Sequence, residues 1–283
     1  MKFDMNKAWS DALALFGRNR EVVLVVGGIF FLLPDLAVSL IFPGLIAQAA
    51  LDFEAAMMVT DASQLVITPA MQQALMLSLV LGLVKLFGIA ALLSHLSDTG
   101  RPTLGEAIGN AARGLPSLIG AVLLFVAGYI LLAFLLGLVG GLFALLIGIA
   151  AASGLTTIVL FGLMFTIMVR LSMTLPVIFL DRQWNPLAAL KLSWGLTAKG
   201  WPALLGFYLL LAIGYAALAW VIGAMALPLM REGFGGGTAA SAGVGLVGSL
   251  LEAIVAALFT CILAAAYRQF SGPSSGNLEQ TFD

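Results

Sequence analysis

The chain has 283 residues, 61% of them hydrophobic and only 10% charged, with a formal net charge of −1. Soluble domains carry about 45–50% apolar and about 25% charged residues, and a soluble sphere of this size has too little interior to hide so much hydrocarbon. The composition excludes a water-soluble globule and leaves an all-α integral membrane protein whose side chains are mostly solvated by lipid.

Near the start, Met5, Trp9, Ala12, Leu13 and Phe16 fall at helical spacing opposite Lys7, Asp11 and Arg18. That pattern predicts an amphipathic helix over about residues 3–18, too short to span and suited to the headgroup plane. A bilayer-crossing helix needs about 20 apolar residues, and residues 22–42 provide the first. Ala47-Gln48-Ala49 imitates a signal-peptidase site. The run before it contains Pro34-Asp35 and is longer than the about 7–15 residues of a signal-peptide core, so it is expected to remain as a span. An outer loop carrying Asp52, Glu54 and Asp61 leads to a second span at about 71–96.

The next segment repeats the first pattern. Leu104, Ala107, Ile108, Ala111, Ala112 and Leu115 share one helical face, with Glu106, Asn110 and Arg113 on the other. An interfacial helix is expected over about 103–115, with Thr103 and Glu106 as a capping pair and Pro116 breaking it from the span that follows. From Leu118 to Leu180 the chain is apolar almost without interruption, which suits two spans, about 117–138 and 155–180, reversing between Gly137 and Gly154. A third amphipathic piece, about 186–200, starts at Asn185-Pro186 with proline at the first helical turn and carries Leu187, Leu190, Trp194, Ala198 and Trp201 on one face. Pro202 marks its junction with a fifth span at about 203–230, and about 244–268 gives a sixth. Gly233-Phe234-Gly235-Gly236-Gly237 between them is expected to be a turn, and the tail 271–283, rich in Ser, Gly and Asn, to be disordered.

About six transmembrane helices therefore form one polytopic domain over residues 1–270, arranged as three repeats of an interfacial amphipathic helix plus a helical hairpin. Lys2, Lys7, Arg18, Arg20, Arg101, Arg113, Arg182, Lys191, Lys199 and Arg268 fall on one side, against Arg231 on the other. The positive-inside rule then places both termini in the cytoplasm.

Four ionisable residues lie within the spans: Asp35, Lys85, Arg170 and Glu252. At about 1.5 Å per residue, Asp35 is about 21 Å above Glu21, Glu252 about 24 Å above Arg268, and Lys85 about 15 Å above His95. A charge at such depth costs at least about 2.5–3.5 kcal/mol, so each calls for a partner or for water. Two readings fit. In one, the four meet in a polar cavity that recognises an anionic headgroup or solute; in the other, they form structural ion pairs and snorkel toward the headgroups.

Enzymatic signatures are missing. His95 is the sole histidine and Cys261 the sole cysteine, which excludes histidine dyads, disulfides within the chain and cysteine-based metal sites. The chain contains neither a GxxxxGK[ST] phosphate loop nor a G-x-S-x-G nucleophile elbow. No catalytic residue, metal or cofactor is expected. Basic residues spread along a membrane face without interleaved aromatics give no support for nucleic-acid binding.

The stretch from Val169 to Leu210 reads VRLSMTLPVIFLDRQWNPLAALKLSWGLTAKGWPALLGFYLL. It resembles the membrane domain attached to some bacterial glycerophosphoryl diester phosphodiesterases, which also occurs in stand-alone, YciC-like proteins. The resemblance rests on Arg170 near a span end, then Pro176, an apolar segment, Asp181, and the run Ala189, Leu190, Ser193, Trp194, Leu196 and Thr197 leading into the next span. It implies no phosphodiesterase activity here, because in that family the activity belongs to a separate soluble barrel. It implies a non-enzymatic inner-membrane protein with an accessory or membrane-organising role in lipid or envelope homeostasis. Its partners would be membrane lipids, anionic headgroups among them, and a protein at the cytoplasmic face. Transport of a small anionic or amphiphilic substrate, using the intramembrane charges, is the alternative.

Overall fold

The computed structural model describes residues 3–59, 66–97, 102–231 and 238–272, which are helical throughout their regular structure. In chain order the helices are α1 (Met5–Arg18), α2 (Arg20–Gly27), a π-helical turn (Gly28–Leu32), α3 (Leu33–Ile41), α4 (Pro43–Met57), α5 (Pro69–His95) and α6 (Leu104–Ile147). There follow α7 (Ile149–Leu171), α8 (Thr174–Phe179), α9 (Pro186–Thr197), α10 (Trp201–Arg231) and α11 (Thr238–Ser271). Among the described residues, six stretches are long and apolar enough to cross a bilayer: Arg20–Ile41, Pro69–His95, Leu104–Ile147, Ile149–Phe179, Trp201–Val221 and Gly245–Ser271. The chain is an all-α, multi-pass membrane protein. The glycine run 233–237 and the tail from residue 273 lie outside the described residues.

Local chemistry explains most element boundaries. Thr103 and Glu106 form the expected reciprocal cap, with Thr103 N donating to Glu106 Oε2 at 2.8 Å and Glu106 N donating to Thr103 Oγ1 at 3.4 Å. Asn185 Oδ1 accepts from Leu187 N and Ala188 N, and Pro186 occupies the first turn of α9, where its missing N–H costs nothing.

Three boundaries differ from the sequence expectations. Pro116 does not divide the interfacial segment from the span: α6 runs through it without interruption. A proline removes one backbone bond and crowds one carbonyl, and the strongly helical residues on both sides carry the chain across that single defect. The second reversal is also tighter than expected. The helices extend to Ile147 and from Ile149, and the chain turns at Gly148 alone, where φ is +86°. Glycine reaches that conformation without a Cβ penalty. Finally, the segment between the first two spans contains α4, which starts at Pro43 after a break at Phe42. Asp52 pins it to the next span by accepting from the hydroxyl of Thr68, whose own Oγ1 caps Met71 N at 3.2 Å.

The described residues cluster into two compact units. One comprises residues 1–15, 93–212 and 261–283, the other residues 16–92 and 213–260. In the first, the core is built from Leu92's neighbour Leu93, Met173, Val177, Ile178, Phe179, Leu204 and the C-terminal run Ile262–Ala266. Phe179 and Trp184 close over Gly114, where an added Cβ would lie 2.3 and 2.7 Å from their rings. Phe3 stacks on Phe270 with centroids 5.4 Å apart, which ties the two ends of the described chain together alongside Gln269 Nε2 donating to Asp4 O at 3.2 Å.

In the second unit, Val23, Val26 and Phe31 are buried. The π-helical turn at Gly28–Leu32 inserts one extra residue per turn, and its two phenylalanines meet α5. Phe30 and Phe87 pack with ring centroids 5.4 Å apart, and Gly88 offers the gap into which Phe30 and Phe31 fit.

Candidate functional site

Asp35, Lys85, Arg170 and Glu252 all lie in the observed spans. Three of them meet in the second unit. Lys85 on α5 lies 2.9 Å from Asp35 Oδ1 on α3 and also donates to Glu252 Oε1 on α11. The geometry follows from the packing beside it: Phe30 and Phe31 meet Gly88, so one helical turn further along the two antiparallel helices Asp35 meets Lys85. Close approach of α11 to α3 is seen at Gly245, where a Cβ would touch Ser39. The Asp35 and Lys85 side chains retain 13% and 23% of their exposure, Glu252 46%. Asp35 Oδ2 is buried without a hydrogen-bond partner.

Arg170 does something else. It sits in the last turn of α7, in the first unit, and its Nη2 donates to Trp194 O on α9 at 2.9 Å. The guanidinium also stacks on the Trp194 ring, 3.7 Å from the centroid. That carbonyl is available because Ala198 N turns to Gly195 O as α9 tightens at its end. In return, α9 supplies two hydroxyls to the end of α7. Ser193 Oγ donates to Arg170 O at 2.9 Å, and Thr197 Oγ1 lies 3.0 Å from the same oxygen. Both hydroxyl residues are fully buried, one helical turn apart on the face turned toward α7. Each helix therefore satisfies carbonyls that the other leaves without partners at its C-terminal end, and the guanidinium lies where the helix dipole favours a cation.

The remaining residues of the sequence motif surround this joint. Pro176 is buried in α8, the short helix after the break at Ser172-Met173. Ala189 is fully buried on α9, and Asp181 accepts from the hydroxyl of Tyr267. His95 has Nδ1 2.9 Å from Pro102 O, so its imidazole links the end of α5 to the residue that leads into α6.

No family model, curated protein or solved structure matches the chain. The roles of Arg170, Ser193, Trp194 and Thr197 therefore rest on their geometry. Sequence reading missed Tyr267, the partner of Asp181, and Tyr208, whose hydroxyl donates to Ser172 Oγ at 3.1 Å. A tyrosine inside an apolar run was the available signal, because a buried phenol needs a partner.

Arg170→Ala is expected to cost about 2 kcal/mol, combining a lost charged hydrogen bond with a lost cation–π contact. Arg170→Lys should recover less than half, since an ammonium cannot reproduce the planar stack. Chemical unfolding in detergent micelles reads both, and an unshifted transition in Arg170→Ala would show that the joint carries no stability.

Proposed function

We propose that the chain is a non-enzymatic, membrane-organising accessory protein of a bacterial inner membrane, of the glycerophosphodiesterase membrane-domain type. In this reading, three repeats of interfacial helix plus hairpin hold their basic, tryptophan-bearing segments in the cytoplasmic leaflet, with both termini on that side. The observation that carries it is the reciprocal capping of α7 and α9. Arg170 is spent on holding an interfacial helix at a fixed angle to a span, and Ser193, Trp194 and Thr197 serve the same joint. A rigidly mounted α9 presents Lys191, Leu187 and Leu192 outward, a composition suited to anionic headgroups. The alternative is transport of a small anionic or amphiphilic substrate; the accessory reading is favoured because Arg170 is engaged with Trp194 within the first unit and Asp35, Lys85 and Glu252 bond one another within the second.

The test is reconstitution in vesicles of mixed phosphatidylglycerol and phosphatidylcholine with spin-labelled lipids. The chain should immobilise labelled phosphatidylglycerol several-fold more than labelled phosphatidylcholine, and Lys191→Glu should reduce the preference. Impermeant maleimide on Cys261→Ala variants should label Lys191→Cys and Arg113→Cys from the cytoplasmic side and Met57→Cys from the other. Equal immobilisation of both lipids, or Arg113→Cys and Lys191→Cys on opposite sides, would overturn the reading.

A further inference from the structure

Arg170 carries a charge that the joint between α7 and α9 does not balance. Its partners there are a carbonyl oxygen and an indole ring, neither of which bears a net charge, and a guanidinium stays protonated in any protein setting. Neither α7 nor α9 contains an acidic residue. Among the described residues the ion pairs are those of Lys85 with Asp35 and Glu252, so no carboxylate is paired with Arg170. A cation within a span is stabilised by an anion beside it.

Lys191 brings a second positive charge to the same place. It stands one turn before Trp194 on α9, and side chains three residues apart on a helix are neighbours. Lys191 is exposed, and its ammonium has no bond among the described residues. The face of α7 that carries Arg170 then continues as hydrocarbon. Val159, Leu163, Ile167 and Arg170 follow one another at intervals of four, four and three residues, a single helical stripe, and Val159 and Leu163 are exposed. Two cations at one end of an apolar stripe about 16 Å long match the layout of a phospholipid, with its phosphate at one end and an acyl chain beside it.

We infer that Arg170 and Lys191, on either side of the Trp194 ring, hold the phosphate of one anionic phospholipid, whose acyl chain lies along Val159, Leu163 and Ile167. The planar fork of Arg170 suits phosphate oxygens. Two cations without a carboxylate select a headgroup of net negative charge over a zwitterionic one, whose ammonium would face Lys191. The inference rests on the proposed reading in that α9 lies at headgroup depth, and it goes further in naming one retained lipid with its own contacts.

Native mass spectrometry of the full chain, released from detergent with dioleoylphosphatidylglycerol or dioleoylphosphatidylcholine added, tests it. The first phosphatidylglycerol should bind about ten-fold tighter than the first phosphatidylcholine. Lys191→Ala should weaken it about five-fold with an unchanged thermal midpoint, because that side chain holds nothing in the fold. Arg170→Lys keeps the charge without the fork and should weaken it about ten-fold. Equal retention of the two lipids overturns the inference, as does phosphatidylglycerol binding that is unchanged in both variants. Displacement of the lipid by millimolar inorganic phosphate would make the ligand a free anion and likewise overturns it. A chain that keeps its spin-label preference for phosphatidylglycerol yet retains no lipid in this experiment lacks the site but keeps the proposed function; a chain that shows neither lacks both.

Discussion

Gly88→Val should destabilise the protein by on the order of 3 kcal/mol, one of the two largest effects expected of any single substitution described. A Cβ at Gly88 would lie 2.5 Å from Phe30 Cβ and 3.0 Å from a ring carbon of Phe31. The first of these atoms moves only with the backbone, so α5 and the π-helical turn would have to separate. Overpacking of a filled core costs about 1–3 kcal/mol and sometimes more, and separation would also disturb the Phe30–Phe87 contact. Gly82 on the same helix is the control, because a Cβ there meets nothing within 4 Å. Gly82→Ala should be neutral or gain up to about 1 kcal/mol from helix propensity. Unfolding in mixed micelles compares the two, and equal behaviour would refute the close packing of α5 on the π turn.

The second large effect is Lys85→Met. Removing the ammonium leaves Asp35 and Glu252 facing each other without a cation, and breaking a buried ion pair from one side costs about 3–5 kcal/mol. The half-exposed Glu252 moderates this, so a loss of about 3 kcal/mol is expected. Glu252→Gln removes only the surplus charge, keeps the pair of Lys85 with Asp35 and should cost no more than about 1 kcal/mol. The contrast between these two variants, read as monodisperse yield and thermal midpoint in one detergent, is the measurement. Similar losses in both would mean that the cluster is held by shape rather than by charge.

The membrane architecture was legible because it depends on a coarse quantity. A run of apolar residues long enough to cross a bilayer must be helical whatever its details, and the observed spans Arg20–Ile41, Pro69–His95 and Gly245–Ser271 lie within a few residues of the expected ones. The cap at Thr103 and the helix start at Pro186 were legible too, since they use only neighbours in sequence. What escaped was long-range. Asp35, Lys85 and Glu252 could be marked as needing partners, but helices that are apolar all round carry no periodic signal of which side faces which. Arg170 carries the same signal, and its partner is no more legible. Its assignment to Trp194 depends on where α7 stops, and Ser172-Met173 is a break that no glycine announces. Pro116 and α4 were misjudged for the opposite reason. A proline and an acidic connecting segment are read as interruptions, yet one missing donor can be absorbed within a strong helix, and α4 is held by Asp52 reaching Thr68.

The hairpin of α6 and α7 has a physical consequence for the membrane around it. Exposed apolar side chains line α6 from Val122 to Ile147, a stretch of about 39 Å at about 1.5 Å per residue. The hydrocarbon thickness of an average bilayer is about 30 Å. Hydrophobic mismatch of that size is relieved by tilting the hairpin or by thickening the surrounding lipid, and both make its energy depend on acyl-chain length. The hairpin is thus at ease among long chains and strained among short ones.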